Sequence, residues 1–466
     1  MMTKPLVTAS PSELRKPSAQ RSLDDPIVPA LLRFAAPNLI QIVVQSAVAV
    51  VEVFFVSRLG TDAVAGISVV FPILTLLIGI TSVGVGGAVA SAIARSLGAG
   101  KKTEAEALAL HAVVIAVVCG AISSAILSGF GANIYRSLGA SGASLSAALA
   151  YSNIFFEGAI SLWLLGVLTA IVRGTGNMVT PARVALFRAA VAVPLSAILI
   201  FGWGPIPGFG ITGAATAMLS YYTIGVVALI VHLQSRTSIL HLTLAGFELR
   251  RDLFERILKV GAVSSLQIVV ANLILAAITA LVAHFGIEAL AGYGLASRLE
   301  LLIFPVLLAW GVGTTTMVGT CVGAGLLERA RRITLIASGL GALIFETIGL
   351  ILAIFASGLI GLFSDAPNVM LAGATYLQMT GPVFGFMGLL SSLFSAYQGW
   401  GRMTAPFLTS VLRLGLAILG GEMVIHSSNP QLGTMFGVIA GSTVLAGLAL
   451  GLLFLLKPPN IAKTTA

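Results

Sequence analysis

Five acidic residues stand inside long apolar runs of this 466-residue chain: Glu52, Glu157, Glu300, Glu346 and Glu422. A charged group in an apolar medium is costly, and at such depth it marks a functional site by default. A carboxyl in that setting holds its proton more tightly than in water and can exchange it near neutral pH. Glu52, in Val50-Val51-Glu52-Val53-Phe54-Phe55, and Glu157, in Ile154-Phe155-Phe156-Glu157-Gly158, are the candidates for proton or cation coupling. They are expected at similar depth in one cavity, close enough to share protons. The rival readings are a Glu52 side chain that reaches the membrane surface and a Glu157 paired for structure with an arginine such as Arg188. Arg298 and Glu300 are two residues apart and do not face each other on a helix, so each needs another partner. They are a possible ion pair or cation site. Glu346 reads as a hydrogen-bonded packing residue and Glu422 as interfacial.

Polar groups in the same runs extend the list. Gln41, Gln45, Gln267, Asn272 and Tyr151 are candidates to line a substrate cleft; the alternative is that the amides join helices to one another. Phe155, Phe156, Trp163, Met379 and Met387 are either an apolar lining or plain packing. His111, His232, His241, His284 and His426 have no metal-ligand spacing, and no nucleotide motif is present. The expectation is no enzyme, no metal and no cofactor, with H+, or less readily Na+, as coupling ion.

What positions these groups is a membrane bundle. The chain is 57% hydrophobic and 9% charged, against about 25% charged in a soluble domain. A helix of about 20 apolar residues crosses a bilayer, and twelve candidates occur: 27–57, 62–94, 105–132, 145–173, 180–202, 210–234, 253–284, 289–320, 330–359, 369–398, 405–425 and 433–456. Pro37 is expected to kink the first. Placing both termini inside puts 23 of the 26 Lys and Arg on the cytoplasmic side, a strong positive-inside bias. It accounts for the net charge of +9 without a nucleic-acid partner. The lipid bilayer and small organic substrates are the expected partners, and the chain is expected as a multi-pass monomer of the plasma (inner) membrane. Cys119 and Cys321 lie in apolar runs and suggest no disulfide.

The chain is also duplicated. Gln41-Ile-Val-Val recurs as Gln267-Ile-Val-Val, 226 positions on. One residue is then lost, and Gly98-Ala99-Gly100 matches Gly323-Ala324-Gly325 at an offset of 225, as Arg188 matches Arg413. Six helices per copy is an even number, so both copies enter the membrane the same way. The expected fold is all-α: two parallel-repeat six-helix lobes around a central cleft. The expected division is 1–26 as a disordered cytoplasmic tail, 27–234 as N-lobe, 235–252 as cytoplasmic linker, 253–456 as C-lobe and 457–466 as a second tail.

Several stretches resemble the multidrug and toxic compound extrusion (MATE) family: Arg33-Phe-Ala-Ala-Pro37, Val56-Ser-Arg-Leu-Gly60, Gly98-Ala-Gly100, Arg173-Gly-Thr-Gly176 with Pro181, and Gly210-Ile-Thr-Gly-Ala-Ala215. Ala296-Ser-Arg298-Leu-Glu300 resembles its bacterial DinF-like branch. The likeness runs over 27–456. It implies a cation- or proton-coupled antiporter that expels organic, often cationic, compounds, with the N-lobe ion site at the position of Glu52. The family's second acid on helix 5 and the Asn one turn before it fall here on Ser196 and Ala192. That departure favours a proton over sodium and leaves Glu157 as a replacement carboxyl.

The leading expectation is therefore a proton-driven exporter of cationic or amphipathic organic compounds. A lipid-linked oligosaccharide flippase of the same superfamily is one alternative; it calls for an arginine-rich cavity, and Arg298 is the one deep arginine expected away from the inner ends. A membrane scaffold or receptor that transports nothing is the other.

Overall fold

The computed structural model describes residues 23–243 and 247–459. Residues 1–22 of the expected tail 1–26, residues 460–466 of the expected tail 457–466, and residues 244–246 of the linker lie outside the described residues. Long apolar segments become helices because a bilayer leaves no other partner for backbone N–H and C=O groups. They are α1 (Ile27–Ser57), α2 (Thr61–Gly98), α3 (Lys102–Ser137), α4 (Gly142–Glu157 with Ala159–Gly174), α5 (Val179–Phe201), α6 (Gly210–Gln234), α7 (Arg251–Ala283), α8 (Ile287–Gly323), α9 (Leu327–Ile354), α10 (Pro367–Trp400), α11 (Thr404–Ile425) and α12 (Leu432–Leu456). Each expected span is present, with ends displaced by a few residues at most.

Interruptions follow local chemistry. α4 bends by 53° at Gly158. α10 passes through a 3-10 turn, Gly381–Val383, that carries Pro382, and α8 restarts at Phe304 with Pro305 in its first turn. α1 continues as one helix through Pro37; the ring leaves the Arg33 carbonyl without its usual donor but does not end the helix. α2 contains a π-helical stretch, Ile80–Val85. Its wider turns take up one extra residue, and it lies in the interval where the repeat offset falls from 226 to 225. A two-stranded hairpin, β1 (Gly202–Trp203) with antiparallel β2 (Ile206–Pro207), joins α5 to α6.

The helices form two six-helix lobes. One core runs from Val48 to Ile257 and another from Val270 to Ile439. A third cluster, in which Leu31 and Phe34 of α1 meet Trp310 and Met317 of α8, bridges them. The linker lies along α3: the His241 backbone N–H donates to Glu106 Oε1 at 3.2 Å, Arg250 N–H to His111 Nε2 at 2.8 Å, and Arg256 pairs with Glu104 at 2.6 Å.

The lobes meet tightly at the end of the bundle that carries Arg95, Lys101, Arg251 and Arg329, called here the basic end. There α2 crosses α8 with the backbones almost touching. A Cβ on Gly98 would strike the Thr320 carbonyl, and one on Gly323 would strike the Arg95 carbonyl. These contacts are images of each other, since Gly98 and Gly323, and Arg95 and Thr320, are related by the offset of 225. The flanking hydrogen bonds obey the same relation. Ser91 Oγ donates to the Gln398 carbonyl; Thr316 Oγ1 donates to the Arg173 carbonyl at 3.4 Å. Arg95 adds a bond from Nη1 to the Gly399 carbonyl at 3.0 Å. Small residues at such a crossing let backbones approach where lipid supplies no hydrophobic drive.

Candidate functional site

Glu52 lies on the buried face of α1 and is 9% exposed. Tyr151 Oη, from α4, donates to Glu52 Oε1 at 2.8 Å. Tyr151 is held by aromatic neighbours: Phe155 stacks at 6.0 Å, and Tyr222 of α6 meets Phe155 edge-on at 5.7 Å. A buried carboxyl with one phenolic donor is satisfied on one oxygen and free to gain or lose a proton on the other.

Glu52 also borders a small cavity. A cavity of about 20 Å3 is lined by Glu52, Ser196, Tyr221, Val51, Ala192 and Met218 among others, room for about one water molecule. The Ser196 and Tyr221 hydroxyls are buried with no hydrogen-bond partner. Three oxygen-bearing side chains therefore line one water-sized space between α1, α5 and α6. Ala192, where the family's amide was expected, is an apolar part of the wall.

Glu157 does not join them. Tyr151 reaches Glu52 from six residues earlier on α4, so Glu157 lies about 9 Å further along the helix. It also points about 120° away from Tyr151 around the axis. It is exposed, at the Gly158 bend, and no ion pair of its carboxylate occurs among the described residues. The shared cavity expected for Glu52 and Glu157 is thus overturned by helical phase and depth.

The other candidates separate as well. Tyr151 is 2% exposed and serves Glu52 inside the N-lobe. Gln41 is buried and accepts from Arg173 Nη2 at 3.0 Å, an interhelical contact. Gln45 is half-buried. Gln267 is half-buried with its Oε1 enclosed and unpartnered. Asn272 is exposed and donates to the Ile268 carbonyl of its own helix at 2.9 Å. Phe155, Phe156 and Trp163 are buried packing residues. Glu346 accepts the Gly385 N–H at 2.8 Å beside the break in α10.

Arg298 is exposed and takes no part with Glu300, because their two-residue spacing turns them apart. Glu300 Oε2 accepts from Tyr376 Oη at 2.7 Å, and Tyr293 packs edge-on against Tyr376 at 5.1 Å. Tyr376 is the repeat counterpart of Tyr151, as Arg413 is of Arg188. Each lobe thus holds a tyrosine–glutamate pair built on one repeated tyrosine, with the glutamate supplied by α1 in one lobe and α8 in the other. Arg298, the one deep arginine expected away from the inner ends, is exposed, whereas Arg173 and Arg188 are 7% and 2% exposed.

A duplicated bundle of twelve apolar helices, with a hydrogen-bonded carboxyl enclosed in one lobe, is the architecture of a membrane transporter. The chain belongs to the MatE family, whose model matches twice, at residues 37–198 and 264–421. The FAD transporter of Shewanella oneidensis is 30% identical over 405 residues, covering 85% of this chain and 88% of that one. The multidrug export protein MepA of Staphylococcus saprophyticus is 23% identical over 440 residues, covering 92% of this chain and 93% of that one. A MOP superfamily transporter from Pyrococcus furiosus has the same fold, with a TM-score of 0.87 at 22% identity over 96% of this chain and 99% of that one. The protein is a multi-pass MATE transporter and not an enzyme.

Proposed function

We propose that the protein is a proton-driven antiporter that exports amphipathic organic compounds, with Glu52 as the group that takes up and releases the coupling proton. The observation that carries this reading is the enclosed Glu52–Tyr151 pair beside a cavity shared with Ser196 and Tyr221. A proton needs one carboxyl and a water-sized space. A sodium ion needs several oxygen ligands, and Ala192 removes one that the family resemblance leads one to expect. The basic end is read as cytoplasmic and the membrane as the plasma membrane, because the Lys and Arg bias is the sequence's own orientation signal. With that end closed across the lobes, the conformation corresponds to one in which substrate has left the cytoplasmic side.

The substrate's charge has two readings. A cationic compound is the one that the MATE resemblance and the multidrug relatives suggest. A phosphate-bearing organic anion is the second, favoured by the relative named for FAD and by arginines buried within the N-lobe.

The test is transport in proteoliposomes with an imposed pH gradient or an imposed sodium gradient, using a panel of dyes and nucleotide cofactors. The expected result is uptake against the pH gradient alone, abolished by Glu52→Gln in a protein that still elutes as a single folded species. Normal transport by Glu52→Gln under a pH gradient would overturn the mechanism.

A further inference from the structure

A second cavity of the N-lobe, of about 390 Å3, shares no lining residue with the one beside Glu52. Four parts of the chain wall it: α1 at Arg33, the turn from α4 to α5 at Asn177, the last turn of α6 at His232, and the start of the linker at Ser238. Its volume falls in the range of small-ligand sites, about 300–1,000 Å3. The floor is apolar, since Phe34, Val172, Met178 and Leu233 line it and are all buried. None of the lining residues is acidic.

Two groups on this wall can hold an anion. Arg33 is exposed and His232 half-buried, and the imidazole makes no hydrogen bond among the described residues. Asn177 is already engaged. Its amide caps α5, accepting the Thr180 N–H at 3.0 Å and donating to Thr180 Oγ1 at 2.9 Å. Arg33 has one ionic partner, Asp25, at 2.6 Å, with side chains 50% and 32% exposed. A pair so well solvated contributes little, so a phosphate can take the guanidinium from Asp25 at small cost. The N–H fork of an arginine also matches phosphate oxygens. A cationic compound would meet Arg33 as a like charge, with no acid on the wall to offset it.

Depth decides what carries the phosphate. The Asp25 carbonyl accepts from Arg329 Nη2, which sets the Arg33 side of the cavity at the basic end. α1 has 31 residues, a length of about 46 Å, and the hydrocarbon core is about 30 Å thick. Shared between the two ends, the excess is about 8 Å at each. Arg33 lies about 9 Å along the helix from Ile27, so it stands at the boundary, where a long cationic side chain reaches the headgroup layer. An apolar floor beneath a basic mouth at that level suits an amphiphile. Basic pockets between transmembrane helices on the cytoplasmic side are a known setting for anionic headgroups. We propose that this cavity binds the phosphate of an anionic phospholipid, with Arg33 as the main donor, His232 as the second and Asp25 as an internal competitor. The site goes beyond the exporter reading and does not rest on it.

The experiment measures lipid binding directly. Full-length protein, delipidated in detergent, is titrated with dioleoyl phosphatidylglycerol and with dioleoyl phosphatidylcholine, and the first bound lipid is followed by native mass spectrometry. Phosphatidylglycerol should bind at least about tenfold more tightly than phosphatidylcholine. Arg33→Gln should weaken phosphatidylglycerol by about tenfold or more, with the unfolding temperature within a few degrees of the parent. His232→Leu should weaken it by about threefold or more. Asp25→Asn, which frees Arg33, should tighten it by about threefold, a gain that a misfolded protein could not give. Arg332→Gln removes an exposed charge of α9 that lines no part of the cavity, and it should leave the affinity within about twofold. Equal binding of the two lipids, or an Arg33→Gln protein that binds phosphatidylglycerol like the parent, would overturn the proposal. So would an Arg332→Gln protein as impaired as Arg33→Gln, because the basic end would then attract lipid by its charge alone. Glycerol 3-phosphate carries the phosphate without the acyl chains. If it displaces phosphatidylglycerol at equal concentration, the site belongs to a soluble phosphate and the lipid assignment is wrong.

Discussion

Tyr151 and Tyr376, 225 residues apart in one duplicated chain, each donate a hydrogen bond to a glutamate, at 2.8 Å to Glu52 and 2.7 Å to Glu300. The tyrosine is the inherited part and the acid is not. Glu52 has Ile278 as its counterpart, and Glu300 has Leu74 or Thr75. Two acids on different helices have thus come to rest on the same repeated hydroxyl. The tyrosine offers a fixed, buried donor, and an acid placed anywhere within its reach gains a partner.

That relationship has an energetic consequence for the N-lobe. Tyr151→Phe leaves Glu52 Oε1 without its donor in an enclosed site, which costs about 1–3 kcal/mol. The unfolding temperature in detergent should fall. In the Glu52→Gln background the same substitution should cost less, because the group it abandons is then a neutral amide. A double-mutant cycle with no coupling would mean that the hydrogen bond has no energetic role.

Glu157 should prove dispensable. It is exposed at the Gly158 bend and about 9 Å along α4 from the residue that meets Glu52. Glu157→Gln is expected to transport within about twofold of the parent under a pH gradient, in an assay that Glu52→Gln fails. A Glu157→Gln protein as inactive as Glu52→Gln would restore a paired-carboxyl mechanism.

What the sequence made legible was whatever depends on one segment at a time. Hydropathy marked every span because a bilayer admits only satisfied backbone, and Glu52 stood out as a charge in an apolar run. The duplication was legible from the constant offset. Misread were the relations between helices. Glu157 looked equivalent to Glu52 because depth was judged along a straight helix, and neither the phase of α4 nor its bend entered the judgement. Tyr151 was assigned to a substrate cleft because a polar aromatic suits one. The signal that could have placed it was available: the offset that pairs Arg188 with Arg413 also pairs Tyr151 with Tyr376. Arg173 was passed over because arginines near helix ends read as orientation signals, and Arg188 was weighed only as a structural partner for Glu157; their burial is a tertiary property.

Orientation is open to a direct check. With the basic end cytoplasmic, a cysteine placed in the linker at Ser238, in a background free of Cys119 and Cys321, should resist an impermeant maleimide added to intact cells. It should react once the cells are opened. Labelling from outside would reverse the assignment.

The crossing of α2 and α8 yields the most demanding prediction. Gly98 and Gly323 permit backbone contact there, and any larger side chain meets a carbonyl of the other lobe. A carbonyl cannot swing aside as a side chain can, so the helices themselves must part. Gly98→Val should therefore shift the protein towards the state open at the basic end while leaving each lobe folded, since the nearest atoms its Cβ would meet, of Thr320 and Ala324, belong to the opposite lobe. The reporter is a pair of cysteines at Ser91 and Gln398, whose parent residues are joined by the hydrogen bond from Ser91 Oγ to the Gln398 carbonyl. In the cysteine-free background a short thiol crosslinker should join the pair efficiently. Adding Gly98→Val should reduce the crosslinked fraction several-fold, and a maleimide should gain access to both positions from the cytoplasmic side. Gly323→Val, at the position related by the repeat, should do the same to a similar degree, because the contacts of the two glycines are images of each other. Undiminished crosslinking in both variants would mean that the lobes do not separate at this crossing, and the closed basic end would then be a fixed hinge rather than a gate.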